Sequence, residues 1–209
     1  MTGGVTVLLV GVGGQGVLTA AEILSLAAHH AGLPVGAGQL HGMSQRGGSV
    51  ECLVRLGTSE SAFAIGRAPD VVLGFERLET LRALPRLGPT TRVLFSDGAI
   101  VPFAMVQRRE AYPSVEEILS RLRAVAPATQ ALDGRALAGQ TGASRTLNVL
   151  LLGALSGLEL LPLSSETLFA AVAERCPARF LEANRQAFEL GRRWAQENPG
   201  EPLTGKDVG

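Results

Sequence analysis

Cysteine is nearly absent from this 209-residue sequence, with only Cys52 and Cys176, far apart and in no CxxC pair. Two isolated thiols neither frame a disulfide scaffold nor supply the thiolates that an iron–sulfur cluster requires, so this chain is expected to hold neither. Net charge is absent too: 19 basic residues balance 19 acidic ones. No global field exists to hold nucleic acid or an anionic membrane, and neither partner is expected. The first apolar run is broken at once by glycines, and Met1 to Gly4 carries no basic residue. That excludes the pattern of a signal peptide or a membrane span, and the expected location is cytoplasmic.

What is present is apolar surface. Hydrophobic residues make up 46% of the sequence and charged ones 18%, more apolar than a solvated chain needs, which fits a covered partner interface. The length suits one compact unit, expected over residues 1–197, followed by a flexible tail at 198–209 that is rich in proline and glycine and poor in apolar groups.

Val5 to Val10 is a β-branched run ending at Gly11, as in a strand buried on both faces. Gln15 to Ala31 then takes helical spacing, with Val17, Leu18, Ala21, Leu24 and Ala28 on one side and Gly32 placed to end it. Leu33 to Leu40 reads as an atypical glycine-rich strand, and Val50 to Leu56, Asp70 to Phe75, Arg92 to Phe95 and Thr129 to Leu132 as further strands. Glu76 to Leu84 lies between two of these at helical spacing. Ser114 with Glu117 forms a capping-box pattern before the apolar stripe Val115, Ile118, Leu119 and Leu122. Leu147 to Leu158 reads as a buried helix whose Gly153 and Gly157 permit close approach, and Ser165 to Arg175 and Arg179 to Ala195 as packing helices divided at Pro177. Strands alternating with helices predict an α/β fold with a mostly parallel sheet.

Gly11-Val12-Gly13-Gly14-Gln15-Gly16 satisfies G-x-G-x-x-G between the first strand and the first helix, where absent side chains allow a tight turn and exposed amides can meet an anion. A dinucleotide site also wants an acid about 20 residues later for the ribose hydroxyls. None exists between Glu22 and Glu51, although Arg46 could meet an NADP phosphate. Three readings stay open: an NAD(P) site, a turn that only packs helix on sheet, and a site for another phosphate-bearing ligand or a partner's loop.

His41-Gly42-Met43-Ser44-Gln45-Arg46-Gly47-Gly48-Ser49 concentrates an imidazole, a guanidinium, hydroxyls and an amide in glycine-rich backbone, either as a site loop or as a polar hairpin that caps itself. Together with the first turn it resembles the gamma-type subunit family of 2-oxoacid:ferredoxin oxidoreductases, and within that family the small subunits of indolepyruvate enzymes. The motif-level resemblance covers about the first 56 residues of the chain. It implies a Rossmann-like or flavodoxin-like three-layer fold with C-terminal helices. It also implies a large alpha-type partner subunit carrying thiamine diphosphate, magnesium and iron–sulfur clusters. Ferredoxin would be the electron acceptor and coenzyme A the co-substrate, with no cofactor bound tightly by this chain itself. Gly11, Gly13, Gly14, Gln15 and Gly16, with His41, Ser44, Gln45, Arg46, Gly47, Gly48 and Ser49, are then the ligand-binding or subunit-interface residues. A stand-alone NADP-binding oxidoreductase domain and a non-catalytic assembly subunit are the competing readings.

Other polar residues read as structural. His29 and His30 close the first helix where its dipole favours a cation. Metal binding at His41 lacks partner ligands. Cys52 reads as a core residue and Cys176 as a partly exposed thiol. Ser144 to Asn148 is expected to cap the apolar helix, Asp97-Gly98 and Asp133-Gly134 to form turns, and Arg108-Arg109 to be a solvated patch.

Overall fold

The computed structural model describes residues 4–41, 48–59, 61, 67–142 and 145–200, with His41 described in its backbone alone. The chain runs β1 (Val5–Val12), α1 (Val17–His30), β2 (Val35–His41), β3 (Ser49–Leu56), β4 (Val71–Gly74), α2 (Arg77–Arg82), β5 (Arg92–Ser96), α3 (Phe103–Arg108), α4 (Val115–Arg123), β6 (Thr129–Leu132), α5 (Gly134–Gly139), α6 (Leu147–Gly157), α7 (Ser165–Arg175) and α8 (Leu181–Glu197).

The strands form one six-stranded sheet in the order β2-β3-β1-β4-β5-β6. β1, β4, β5 and β6 are mutually parallel, while β3 is antiparallel to both β1 and β2. All strands but β3 therefore point the same way. The hydrophobic run of β1 is divided between two cores, as expected for a strand covered on both faces. Val7 and Leu9 pack with α1, α6, α7 and α8, whereas Leu8 and Val10 pack with Leu81, Ile118 and Leu122 of α2 and α4. Three layers result.

Several local expectations change on folding. Leu18 is exposed, because the positions that face the sheet are Val17, Ala21, Leu24 and Ala28. Phe180, within the segment expected as the last packing helix, sits in a 3₁₀ turn ahead of α8 and is exposed, while Ala187, Phe188 and Ala195 are buried on that helix. Only half of the capping box forms: Ser114 Oγ accepts from the Glu117 amide at 3.1 Å, while the Glu117 carboxylate points to Arg121. Asp133-Gly134 is a helix start instead of a turn, since Asp133 Oδ1 accepts from the Ala136 amide at 2.8 Å. At the end of α8, Asn198 O accepts from Gln130 Nε2 at 2.7 Å, which ties residue 198 to β6.

Candidate functional site at one rim of the sheet

The carboxyl ends of β1, β2, β4, β5 and β6 share one rim, joined there by the amino end of β3. The chain leaves β1 for α1 and β2 on one side, while β4 pairs on the other, so the topology switches between β1 and β4. Open α/β sheets bind ligands at such a point.

The first glycine segment lies there. Gly14 has φ of 100° and Gly16 of 84°, backbone that L side chains resist. Among the described residues nothing stands within 4 Å of where a Gly14 Cβ would project. At Gly16 a methyl would fall 2.9 Å from Asn148 Nδ2, because the start of α6 is seated against the start of α1. α1 has no side-chain cap and no acid in its first turn. Its leading amides can therefore meet an anion.

Gln15 does something that its place in the motif does not reveal. Its Oε1 accepts from the Val12 amide at 2.7 Å and its Nε2 donates to Phe75 O at 2.9 Å. One side chain thus laces the end of β1 to the end of β4, across the crevice where a dinucleotide would enter.

The described end of the second segment meets this turn directly. Gly13 N donates to Gly48 O at 2.9 Å, and Ser49 is the ladder partner of Val12. On the other stem, His41 pairs in register with Glu51, one bulged residue after Gln39 pairs with Cys52. Ser44, Gln45, Arg46 and Gly47, with the side chain of His41, lie outside the described residues. Cys52 is buried, and burial, followed by the charges of Glu22 and Glu51, pushes its thiol up to about 11, so it stays protonated and inert.

Sequence reasoning missed a second feature of this rim. Glu76 is 1% exposed, and its Oε2 caps α2 by accepting from the Leu78 and Glu79 amides, each at 2.9 Å. Its Oε1 accepts from the Tyr112 hydroxyl and, at 3.4 Å, from the Ile100 amide. The Arg77 guanidinium lies 4.8 Å over the Tyr112 ring, and Arg77 N donates to Gly98 O. Burial and the Glu76 hydrogen bond raise the Tyr112 phenol, so it remains the donor. Both ends of the 98–112 segment are thereby stapled to Glu76 and Arg77, and between them Ile100, Val101, Phe103 and Val106 are exposed, Phe103 by 74%. The only sequence signal was this run of apolar residues without a buried partner pattern.

Beside the staple, Asp97 is shifted upward by burial and then by the charge of Asp133, with Arg77 opposing. An acid whose folded pKa exceeds its unfolded value destabilises the fold once pH rises above the ordinary aspartate value of 3.8, and is neutral below it. Asp97→Asn is therefore expected to raise the Tm at pH 7 and to leave it unchanged at pH 3. Equal shifts at both pH values in thermal scans would contradict this.

Of the segment expected to cap α6, Thr146 takes the N-cap position. Ser144 lies outside the described residues, Thr146 makes no side-chain cap bond, and Asn148 faces Gly16. Among the described residues no group of three or more histidine, cysteine, aspartate or glutamate side chains is placed to hold a metal, and no helix is long and apolar enough to cross a membrane.

A three-layer α/β sheet with a glycine turn at its switch point, laced by the Gln15 amide and flanked by an exposed apolar strap, defines a Rossmann-like fold. The chain belongs to the pyruvate ferredoxin/flavodoxin oxidoreductase family, which matches residues 6–194. It is 38% identical over 194 residues to the indolepyruvate oxidoreductase subunit IorB of Pyrococcus horikoshii, covering 91% of this chain and 96% of that one. With the corresponding subunit of Methanothermobacter thermautotrophicus it shares 34% identity over 181 residues, 87% and 92% of the two chains. The fold matches a keto/oxoacid ferredoxin oxidoreductase gamma subunit from Geobacter sulfurreducens at a TM-score of 0.70 and 23% identity, covering 95% of this chain and 99% of the other. It also matches a 2-oxoglutarate:ferredoxin oxidoreductase from Magnetococcus marinus, solved with 2-oxoglutarate, coenzyme A and succinyl-CoA bound. That match has a TM-score of 0.71 and 21% identity and covers 94% of this chain but 32% of that one.

Proposed function

We propose that this chain is the small subunit of a cytoplasmic thiamine-diphosphate-dependent 2-oxoacid:ferredoxin oxidoreductase that acts on indolepyruvate or related aryl pyruvates. The observation that carries the reading is the 34–38% identity to indolepyruvate oxidoreductase subunits, spread over nearly the whole of both chains. In this reading the large subunit holds the thiamine diphosphate, magnesium and iron–sulfur clusters, which supply decarboxylation and electron transfer to ferredoxin. The acyl group passes to coenzyme A and the carboxylate leaves as carbon dioxide.

This chain contributes positioning. The turn at Gly11 to Gly16 and the segment from His41 to Ser49, bonded through Gly13 and Gly48, form the seam with the large subunit close to acyl transfer. The amides leading α1 suit an anionic group of coenzyme A or of the oxoacid. The Gln15 lacing across β1 and β4 argues against a stand-alone NADP site in the same crevice.

The test is co-expression with the large subunit and measurement of aryl-pyruvate-dependent, coenzyme-A-dependent reduction of ferredoxin or a viologen. Activity is expected only from the complex. Arg46→Ala is expected to leave assembly intact and to lower kcat/KM by about tenfold to a hundredfold, the loss of one charge-assisted anion contact of ~1.5–3 kcal/mol. Turnover by the small chain alone, or failure to assemble, would defeat the proposal, and an assembled but kinetically unchanged Arg46→Ala variant would favour a purely structural subunit.

A further inference from the structure

On the helical face beside the glycine turn, a cavity of about 640 Å³ opens between α1, the start of α6, the end of α7 and the start of α8. Its walls divide by chemistry. Ile23, Val149, Val172 and Phe180 give it an apolar side, while Arg145, Arg175 and Arg179 bring guanidiniums to it and, among the described residues, no carboxylate lines it. Arg175 is neutralised by Glu22 at 2.8 Å. Arg145 and Arg179 have no ion pair among the described residues, and Arg179 lies 4.8 Å over the exposed Phe180 ring. The α6 amino terminus also opens here without a side-chain cap, through Thr146 and Asn148. In the wall, Asn184 is 8% exposed and donates to Cys176 Sγ at 2.7 Å.

We infer that this cavity binds a small organic anion with a flat apolar body, its acidic head held by Arg145 and Arg179 and its body laid against Phe180, Ile23 and Val149. The volume lies in the range of small-molecule sites, roughly 300–1,000 Å³. Two guanidiniums on one wall, with an aromatic ring beside one of them, can recognise both parts of such a ligand, through charge-assisted hydrogen bonds and stacking. A carboxylate on an aryl group and a phosphate on a nucleoside share this chemistry. Its wall shares Asn148 with the seat of Gly16, so the cavity borders the glycine turn, but recognition of the anion by Arg145 and Arg179 does not depend on the proposed oxidoreductase function.

Cys176 provides a built-in reporter, because the only other cysteine, Cys52, is 2% exposed. The experiment titrates the full chain with indole-3-acetate, with AMP, and with inorganic phosphate and neutral indole as controls. Binding is read by calorimetry and by the rate at which N-ethylmaleimide alkylates Cys176, located by peptide mass. Indole-3-acetate or AMP should bind saturably and slow the alkylation at least threefold, the tighter of the two naming the source. The Arg145→Ala/Arg179→Ala variant should weaken binding about tenfold or more, and Arg145→Lys/Arg179→Lys should restore part of it. Absence of saturable binding by both organic anions, equal binding by phosphate alone, or binding indifferent to the arginines would each overturn the inference. Both arginines are exposed, and circular dichroism of the variants separates a lost site from a lost fold.

Discussion

Valine at Gly191 is expected to lower the unfolding free energy by about 3 kcal/mol or more, a loss read directly as a fall in urea midpoint. α6 and α8 touch backbone to backbone. A Cβ on Gly191 would stand 2.0 Å from Leu150 O, one on Gly153 2.1 Å from Phe188 O, and one on Gly157 2.6 Å from Arg192 O. The obstacle is main chain in each case, so no rotamer change relieves it and a helix must move. α8 cannot retreat freely, because Ala187, Phe188 and Ala195 are buried against the same core. The contrast with Gly139 makes the argument testable. That glycine ends α5, and among the described residues nothing stands within 4 Å of its Cβ position. Gly139→Ala is therefore expected to be neutral or to gain up to ~1 kcal/mol from helix propensity, whereas Gly191→Ala should lose stability despite the same propensity gain. Equal responses at the two glycines would refute close packing of α6 on α8.

Gln15→Ala is expected to cost about 2–4 kcal/mol, because it strands the Val12 amide and the Phe75 carbonyl, both part-buried. Gln15→Glu separates the two bonds. A carboxylate can still accept from Val12 N but cannot donate to Phe75 O, so the variant should recover part of the loss at low pH, where the protonated acid regains a donor, and less of it at neutral pH. Hydrogen exchange at the Val12 amide gives a local readout, with faster exchange expected in the alanine variant than in the glutamate one. If alanine left both the midpoint and the Val12 exchange rate unchanged, Gln15 would not be the lace between β1 and β4. Since the turn hangs from that lace, the alanine variant should also assemble with the large subunit less tightly.

The layers were legible because burial writes itself into side-chain pattern. β6 and α7 have the limits read from the residue pattern, and the apolar segment from Leu147 forms the buried helix its length requires. Strand direction was not legible: β3 runs against its neighbours, and an apolar run looks the same in a parallel or an antiparallel ladder. α3 and α5 were missed because each has six residues, α3 buries none of them, and α5 begins at a glycine. The glycine segments were recognisable by composition, but what joins them is a bond between two main chains, Gly13 to Gly48, which side-chain identity cannot announce. Glu76 reaches Tyr112 across 36 positions, beyond any local pattern.

The reversed direction of β3 has an evolutionary corollary. His41 at the end of β2 pairs with Glu51 two residues into β3, so the chain leaves and re-enters the ladder at one rim between positions 41 and 49. Insertions or deletions there change how far the excursion extends without shifting the ladder beneath it, and doubling its length adds only about 0.6 kcal/mol of closure entropy. Descendants of this architecture can therefore retune what they reach for while inheriting the platform unaltered.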